Sequence, residues 1–109
     1  MGPLMAKKSG QPAKKPHRRD PVVRAAFGRI LVEHRRRMHA KQHEIASKSG
    51  YSEKYVGKLE NRANTPSLTA MIEISAALQV DPRDLLGEVL QLMPRFKRLE
   101  RPDPEAADI

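Results

Sequence analysis

The chain has 109 residues, a formal net charge of +8 and no cysteine. That length suits one small domain, and the missing thiols exclude disulfides, cysteine-based zinc sites and thiol nucleophiles. No apolar run approaches the roughly 18 residues that suggest a membrane span, and residues 1–20 lack the apolar core of a secretory leader, so a cytoplasmic protein is expected.

The charge is unevenly placed. Residues 1–20 carry six basic and one acidic side chain, while the remaining 89 carry 15 and 12. A basic segment ahead of a mildly basic domain suits a polyanionic partner, though a solvated tail kept for solubility has the same composition. These first 20 residues are rich in Lys, Pro, Gly and Ser with little to bury, so a disordered basic arm is expected. Its first residues, MGPLM, with a second methionine, read as artificial additions ahead of a native Met5.

From Val22 the pattern becomes helical. Val23, Phe27, Ile30, Leu31 and His34 recur at spacings of three and four, which predicts a first helix ending near Met38 to Ala40. A second helix is expected over Gln42 to Ser49, with Ile45, Ala46 and Ser49 on one side and Gly50 interrupting it. Ser52 is a good N-cap for a third helix running to about Asn61, with Tyr55, Val56 and Leu59 inward. Arg62 to Pro66 reads as a loop. Ser67 should cap a fourth helix whose inner face is Leu68, Met71, Ile74, Ser75 and Leu78. Asp81-Pro82-Arg83-Asp84 is a strong helix start for a fifth helix carrying Leu85, Leu86, Val89 and Leu90, with Leu92 and Met93 at its end. Pro94 should stop or kink it, leaving a frayed tail that is basic and then acidic. The expected division is 1–20 arm, 21–93 domain and 94–109 tail. No strand pattern and no repeat is visible.

The stretch QHEIASKSGYSEKYVGKLENR, residues 42–62, is the most informative. Ala46 lies four residues before Gly50, and Val56 and Leu59 follow. Two short helices crossing closely need a small side chain at the crossing and a residue tolerant of positive φ at the turn. The second helix then packs Val56 and Leu59 back onto the first. These constraints describe a helix-turn-helix, whose second helix enters the major groove of DNA.

At this point the sequence resembles a family. Phe27-Gly28-Arg29, Arg35, Gln42, Ala46, Lys48-Ser49-Gly50, Ser52, Tyr55-Val56, Leu59-Glu60-Asn61, Pro66-Ser67-Leu68, Ile74 and Leu78-Gln79-Val80 look like the XRE-like helix-turn-helix proteins of the phage-repressor and Cro class. The resemblance implies an all-α fold, a compact five-helix domain of the lambda-repressor-like type, and usually a homodimer on a two-fold operator. It implies that Gln42 faces a DNA phosphate, against the alternative of a plain surface amide. It places Glu53 and Lys54 where base edges are read. Lys58, one turn beyond Lys54, shares its face. Lysine can donate to guanine and glutamate can accept from cytosine. Glu53 could instead act by rejecting wrong bases, and both lysines could be merely solvated or touch only phosphate. Gly57 either admits close approach of DNA or is tolerated drift.

Ser52, Tyr55, Asn61 and Arg62 can bond phosphates; Tyr55 could equally be half-buried core. Arg62 stands where family members usually have glycine, so Asn61 or Asn64 is expected to take the left-handed conformation instead. Arg35 and Glu60 resemble the family's internal ion pair. His39 replaces a usual glycine, and Lys41 a usual Ser or Thr cap, leaving Glu44 to reach back. Lys14, Lys15, Arg18 and Arg19, together with Lys7 and Lys8, can add phosphate or minor-groove contacts. Leu86, Val89, Leu90 and Met93 are the expected dimer surface, or else only close the domain's own core.

The sequence thus points to a sequence-specific double-stranded DNA-binding transcriptional regulator, a repressor and homodimer, cytoplasmic and nucleoid-associated. It needs no cofactor and no metal, for His34, His39 and His43 do not converge. Its other partners would be RNA polymerase or a cognate protein. An antitoxin that also binds its own promoter is the alternative, supported only by the tail after Pro94. A restriction–modification controller differs in circuit and hardly in chemistry. No phosphate loop or paired-carboxylate cleft suggests an enzyme.

Overall fold

A computed structural model describes residues 19–100 of the chain. It contains α1 (Asp20–Arg37), α2 (Gln42–Ser49), α3 (Glu53–Glu60), α4 (Leu68–Ala77), α5 (Pro82–Leu92) and a terminal 3-10 segment, Met93–Leu99. No strand occurs among the described residues. The five helices stand where the periodicity predicts them. The expectations for Lys7, Lys8, Lys14, Lys15, Arg18 and the acidic end of the tail lie outside the described residues.

The helix starts follow from local chemistry. Ser52 Oγ accepts from the Tyr55 N–H, Ser67 Oγ from the Ala70 N–H, and an Asp81 carboxylate oxygen from the Arg83 N–H. Each side chain satisfies a donor that the first helical turn leaves unpaired. The Arg83 side chain also pairs with Asp81 and holds its carboxyl at about 2, below the usual range. Lys41 cannot accept such a bond, and Glu44 compensates by taking the Lys41 N–H at 2.6 Å.

Four helix ends share one device. At His39, Gly50, Arg62 and Gln79 the backbone turns left-handed, with φ of 57°, 82°, 65° and 62°. The next residue's N–H then reaches back five positions: Ala40 to Arg35 O, Tyr51 to Ala46 O, Ala63 to Lys58 O and Val80 to Ser75 O. This satisfies carbonyls the last turn would otherwise expose. Arg62 itself makes the turn after α3. Asn61 remains at φ −84°, contrary to the expectation that an asparagine would take over.

The core gathers Val22, Ala26, Phe27, Leu31, Ile45, Ala46, Val56, Leu59, Ile74, Leu85 and Val89 from all five helices. The expected inner faces of α1 and α4 hold apart from one residue each. On α4 Ile74, Ser75 and Leu78 are buried and Met71 packs against the core as expected, Ala70 and Ala77 join them, and Leu68 is 70% exposed. On α1 Val22 is the buried valine; Val23 lies at its edge. The frayed end expected after Pro94 does not hold for residues 93–99. α5 stops at Leu92, just before Pro94 as expected, but the chain goes on into the 3-10 segment with Pro94 in its first turn, and Phe96 is 6% exposed within the core. A proline in a first turn removes no needed donor.

Candidate nucleic-acid interface

α2 and α3 meet across Gly50 as the small-residue crossing requires. Ala46 is buried, and Val56 and Leu59 are fully buried beneath α3. What remains outside on α3 is Glu53, Lys54 and Lys58, all exposed. Lys54 and Lys58 lie one turn apart on the same side. Ser52, exposed, is occupied as the cap. Tyr55 is half-buried and stacks on Tyr51, with centroids 4.9 Å apart. Burial, and secondarily charge on Tyr51, push its phenol above the ordinary value, while a Ser67 backbone hydrogen bond opposes the shift.

The orientation of α3 is set from behind by one carboxylate. Arg35 Nε and Nη2 donate to the two oxygens of Glu60 at 2.6 and 3.0 Å, and Gln42 Nε2 donates to Glu60 Oε1 at 2.8 Å. Arg35 Nη1 also donates to the Ala40 carbonyl at 3.0 Å. The Arg35 and Glu60 side chains are 15% and 5% exposed, so this is a largely but not fully buried bidentate pair, strong and geometrically specific. It raises the Arg35 pKa, chiefly through the hydrogen bond to Glu60. Three helices are thereby tied at one point. Gln42 has one amide proton engaged, and its remaining capacity lies at the start of α2.

Gly28 is a residue whose function the sequence reading missed. A Cβ there would lie 2.7 Å from the Leu59 carbonyl oxygen and 3.2 Å from that of Glu60. α1 therefore crosses the end of α3 backbone to backbone. A glycine within an otherwise helical stretch, costing about 1 kcal/mol against alanine, was the available signal. Gly57 differs: a Cβ there would meet only Gln42 Oε1, at an ordinary 3.6 Å.

Other residues lie apart from this face. Arg62 is turned onto the Phe96 ring, 5.1 Å from its centroid, on the α1 side of α3. Asn61 is exposed at the end of α3. Arg19, the one arm cation described, lies 3.6 Å from Glu100. Leu86 and Leu90 are 41% and 56% exposed on α5, and Met93 is half-buried. Val89, expected with them at a dimer surface, is 4% exposed and belongs to the domain's own core. His34 Nε2 lies 2.8 Å from Glu88 Oε1, which ties α1 to α5.

Comparison with known proteins agrees with this geometry. A helix-turn-helix family model matches residues 33–85. The restriction-modification controller protein C.AhdI from Aeromonas hydrophila is 32% identical, with a TM-score of 0.55 over 57% of this chain and 94% of its own. The clp gene regulator ClgR from Corynebacterium glutamicum is 25% identical, with a TM-score of 0.65 over 72% of this chain and 84% of its own. A second structure of ClgR gives 26%, 0.59, 63% and 90%. No curated protein sequence matches the chain. With a helix-turn-helix held by the Arg35–Glu60 pair and a relative spanned almost end to end, the chain belongs to the XRE-like helix-turn-helix family of DNA-binding transcription regulators.

Proposed function

We propose that this regulator is a repressor that binds a two-fold symmetric operator as a homodimer, with α3 in the major groove. The observation that carries this reading is the exposed side of α3, bearing Glu53, Lys54 and Lys58, on a helix whose back is tied to α1 and α2 through Glu60. A rigidly held helix can align side chains with base edges, which loose ones cannot. Lys54 and Lys58 read guanine, and Glu53 accepts from cytosine or excludes other bases. Gln42, Ser52, Tyr55 and Asn61 position the domain on phosphates. The basic residues Lys14, Lys15, Arg18 and Arg19 add salt-sensitive contacts. Leu86, Leu90 and Met93 supply the contact between protomers. A cytoplasmic, nucleoid-associated location follows from the ligand. The domain proper spans 21–93 with residues 93–99 packed against it.

Selection from a random duplex library, with a Lys54→Ala/Lys58→Ala variant alongside, tests this. A two-fold motif with G·C pairs in half-sites about one helical turn apart, roughly 34–36 Å, is the expected result, and the variant should lose or change it. Enrichment of no motif would sink the reading.

The likeness to C.AhdI favours one second reading, a restriction–modification controller. It would use the same face and differ in the gene controlled. The antitoxin alternative is weakened, because the basic half of the segment it relied on packs on the protomer at Phe96.

A further inference from the structure

We propose that Arg62 and Phe96 form a latch by which the C-terminal 3-10 segment holds the last turn of α3 in its DNA-reading position. The proposal rests on the DNA-binding reading above and adds two positioning residues to it.

The first observation is strain. Arg62 sits at φ 65°, a conformation that costs about 1–2 kcal/mol for a residue with a Cβ. Strain of this kind persists where the surroundings over-determine it. The surroundings here are specific. The Arg62 stem runs along α1, its Cγ 3.3 Å from where a Gly28 Cβ would stand. Its guanidinium then lies 5.1 Å from the centroid of the Phe96 ring. A cation within about 6 Å of a ring face is attracted to it. Phe96 is itself buried in the core, so the ring is a fixed platform.

The second observation is what the latch holds. The Arg62 N–H donates to Leu59 O, and the Ala63 N–H closes on Lys58 O at 2.9 Å. If residues 62 and 63 swing away, the carbonyl of a reading residue is uncapped and the end of α3 loosens. The anchor for this turn, residues 93–99, lies beyond the span matched by the family model. This chain therefore stabilises its reading helix with a segment from outside the helix-turn-helix. The competing use of Arg62 is a direct phosphate contact, and the two make opposite predictions.

The test compares Arg62→Gly, Phe96→Leu and the double variant in the full chain. Arg62→Gly relieves the strained turn, and Phe96→Leu keeps an apolar side chain in the core. Readouts are melting temperature, affinity for the selected operator and for random duplex over a salt series, and amide exchange at residues 61–63. Each single variant should bind the operator about two- to five-fold more weakly, as loss of one exposed cation–π contact implies. Random-duplex affinity and its salt slope should not change. Exchange at 61–63 should quicken, the double variant should be no worse than the weaker single, and Arg62→Gly should melt no lower than wild type. A uniform loss on all duplexes for Arg62→Gly, with the salt slope reduced by about one and Phe96→Leu silent, makes Arg62 a phosphate ligand and overturns the latch. Unchanged exchange in both single variants overturns it as well. If the wild type selects no operator, the DNA reading has failed, and exchange alone still decides the latch.

Discussion

His39, Arg62 and Gln79 occupy left-handed turns that glycine would make without steric cost, and Gly50 alone has the expected residue. The three differ in what their side chains do. Arg62 is engaged by Phe96. His39 and Gln79 are exposed. Removing a Cβ from a left-handed residue recovers about 1–2 kcal/mol, less the roughly 0.5–1 kcal/mol of extra freedom glycine brings to the unfolded chain. His39→Gly should therefore raise stability by up to about 1 kcal/mol, seen as a higher urea midpoint with an unchanged slope. A lowered midpoint would mean that the imidazole makes a compensating contact.

Two glycines that bear on α3 have opposite properties, Gly28 where α1 crosses its end and Gly57 within the helix itself. Gly28 admits the Leu59 carbonyl at a distance no Cβ tolerates, whereas Gly57 has room for one on the protein side. Gly28→Ala should destabilise by about 1–3 kcal/mol, the usual cost of overpacking, and should weaken operator binding because the end of α3 must shift; chemical denaturation checks the first part. Gly57→Ala should instead stabilise α3 by up to about 1 kcal/mol through helix propensity. If DNA backbone or bases approach Gly57 closely, the same variant should bind operator more weakly despite being more stable. Higher stability with undiminished binding would show that this glycine serves no DNA contact.

Across the whole molecule, Leu86 and Leu90 stand one turn apart and outside the core on α5. Replacing both by lysine should leave the fold of the domain intact, since exposed substitutions cost the domain itself only about 0.5 kcal/mol, and should lower the melting temperature only by what dimerisation contributed, leaving it independent of protein concentration. Sedimentation should then find a monomer. Affinity for the full two-fold site should fall by about a hundredfold, because linked half-site binding is lost, while a single half-site is bound as before. A dimer that survives the double substitution would move the interface off α5.

What the sequence by itself determined was local. Apolar spacing placed five helices, serine and aspartate placed the starts of α3, α4 and α5, and Ala46, Gly50, Val56 and Leu59 identified the crossing of α2 and α3. All of these depend on residues close together in the chain, where period, capping and backbone freedom act directly. The tertiary structure decided that Leu68 stays outside the core, which of Leu86 and Val89 is buried, why Gly28 must be glycine, and where Arg62 points. It also recruited Phe96, although the spacing of Leu85, Val89, Met93 and Phe96 continues the helical pattern straight through Pro94. Each of these depends on partners far apart in sequence, such as Gly28 with Leu59 or Arg62 with Phe96, and only the packing of one helix on another brings them within reach.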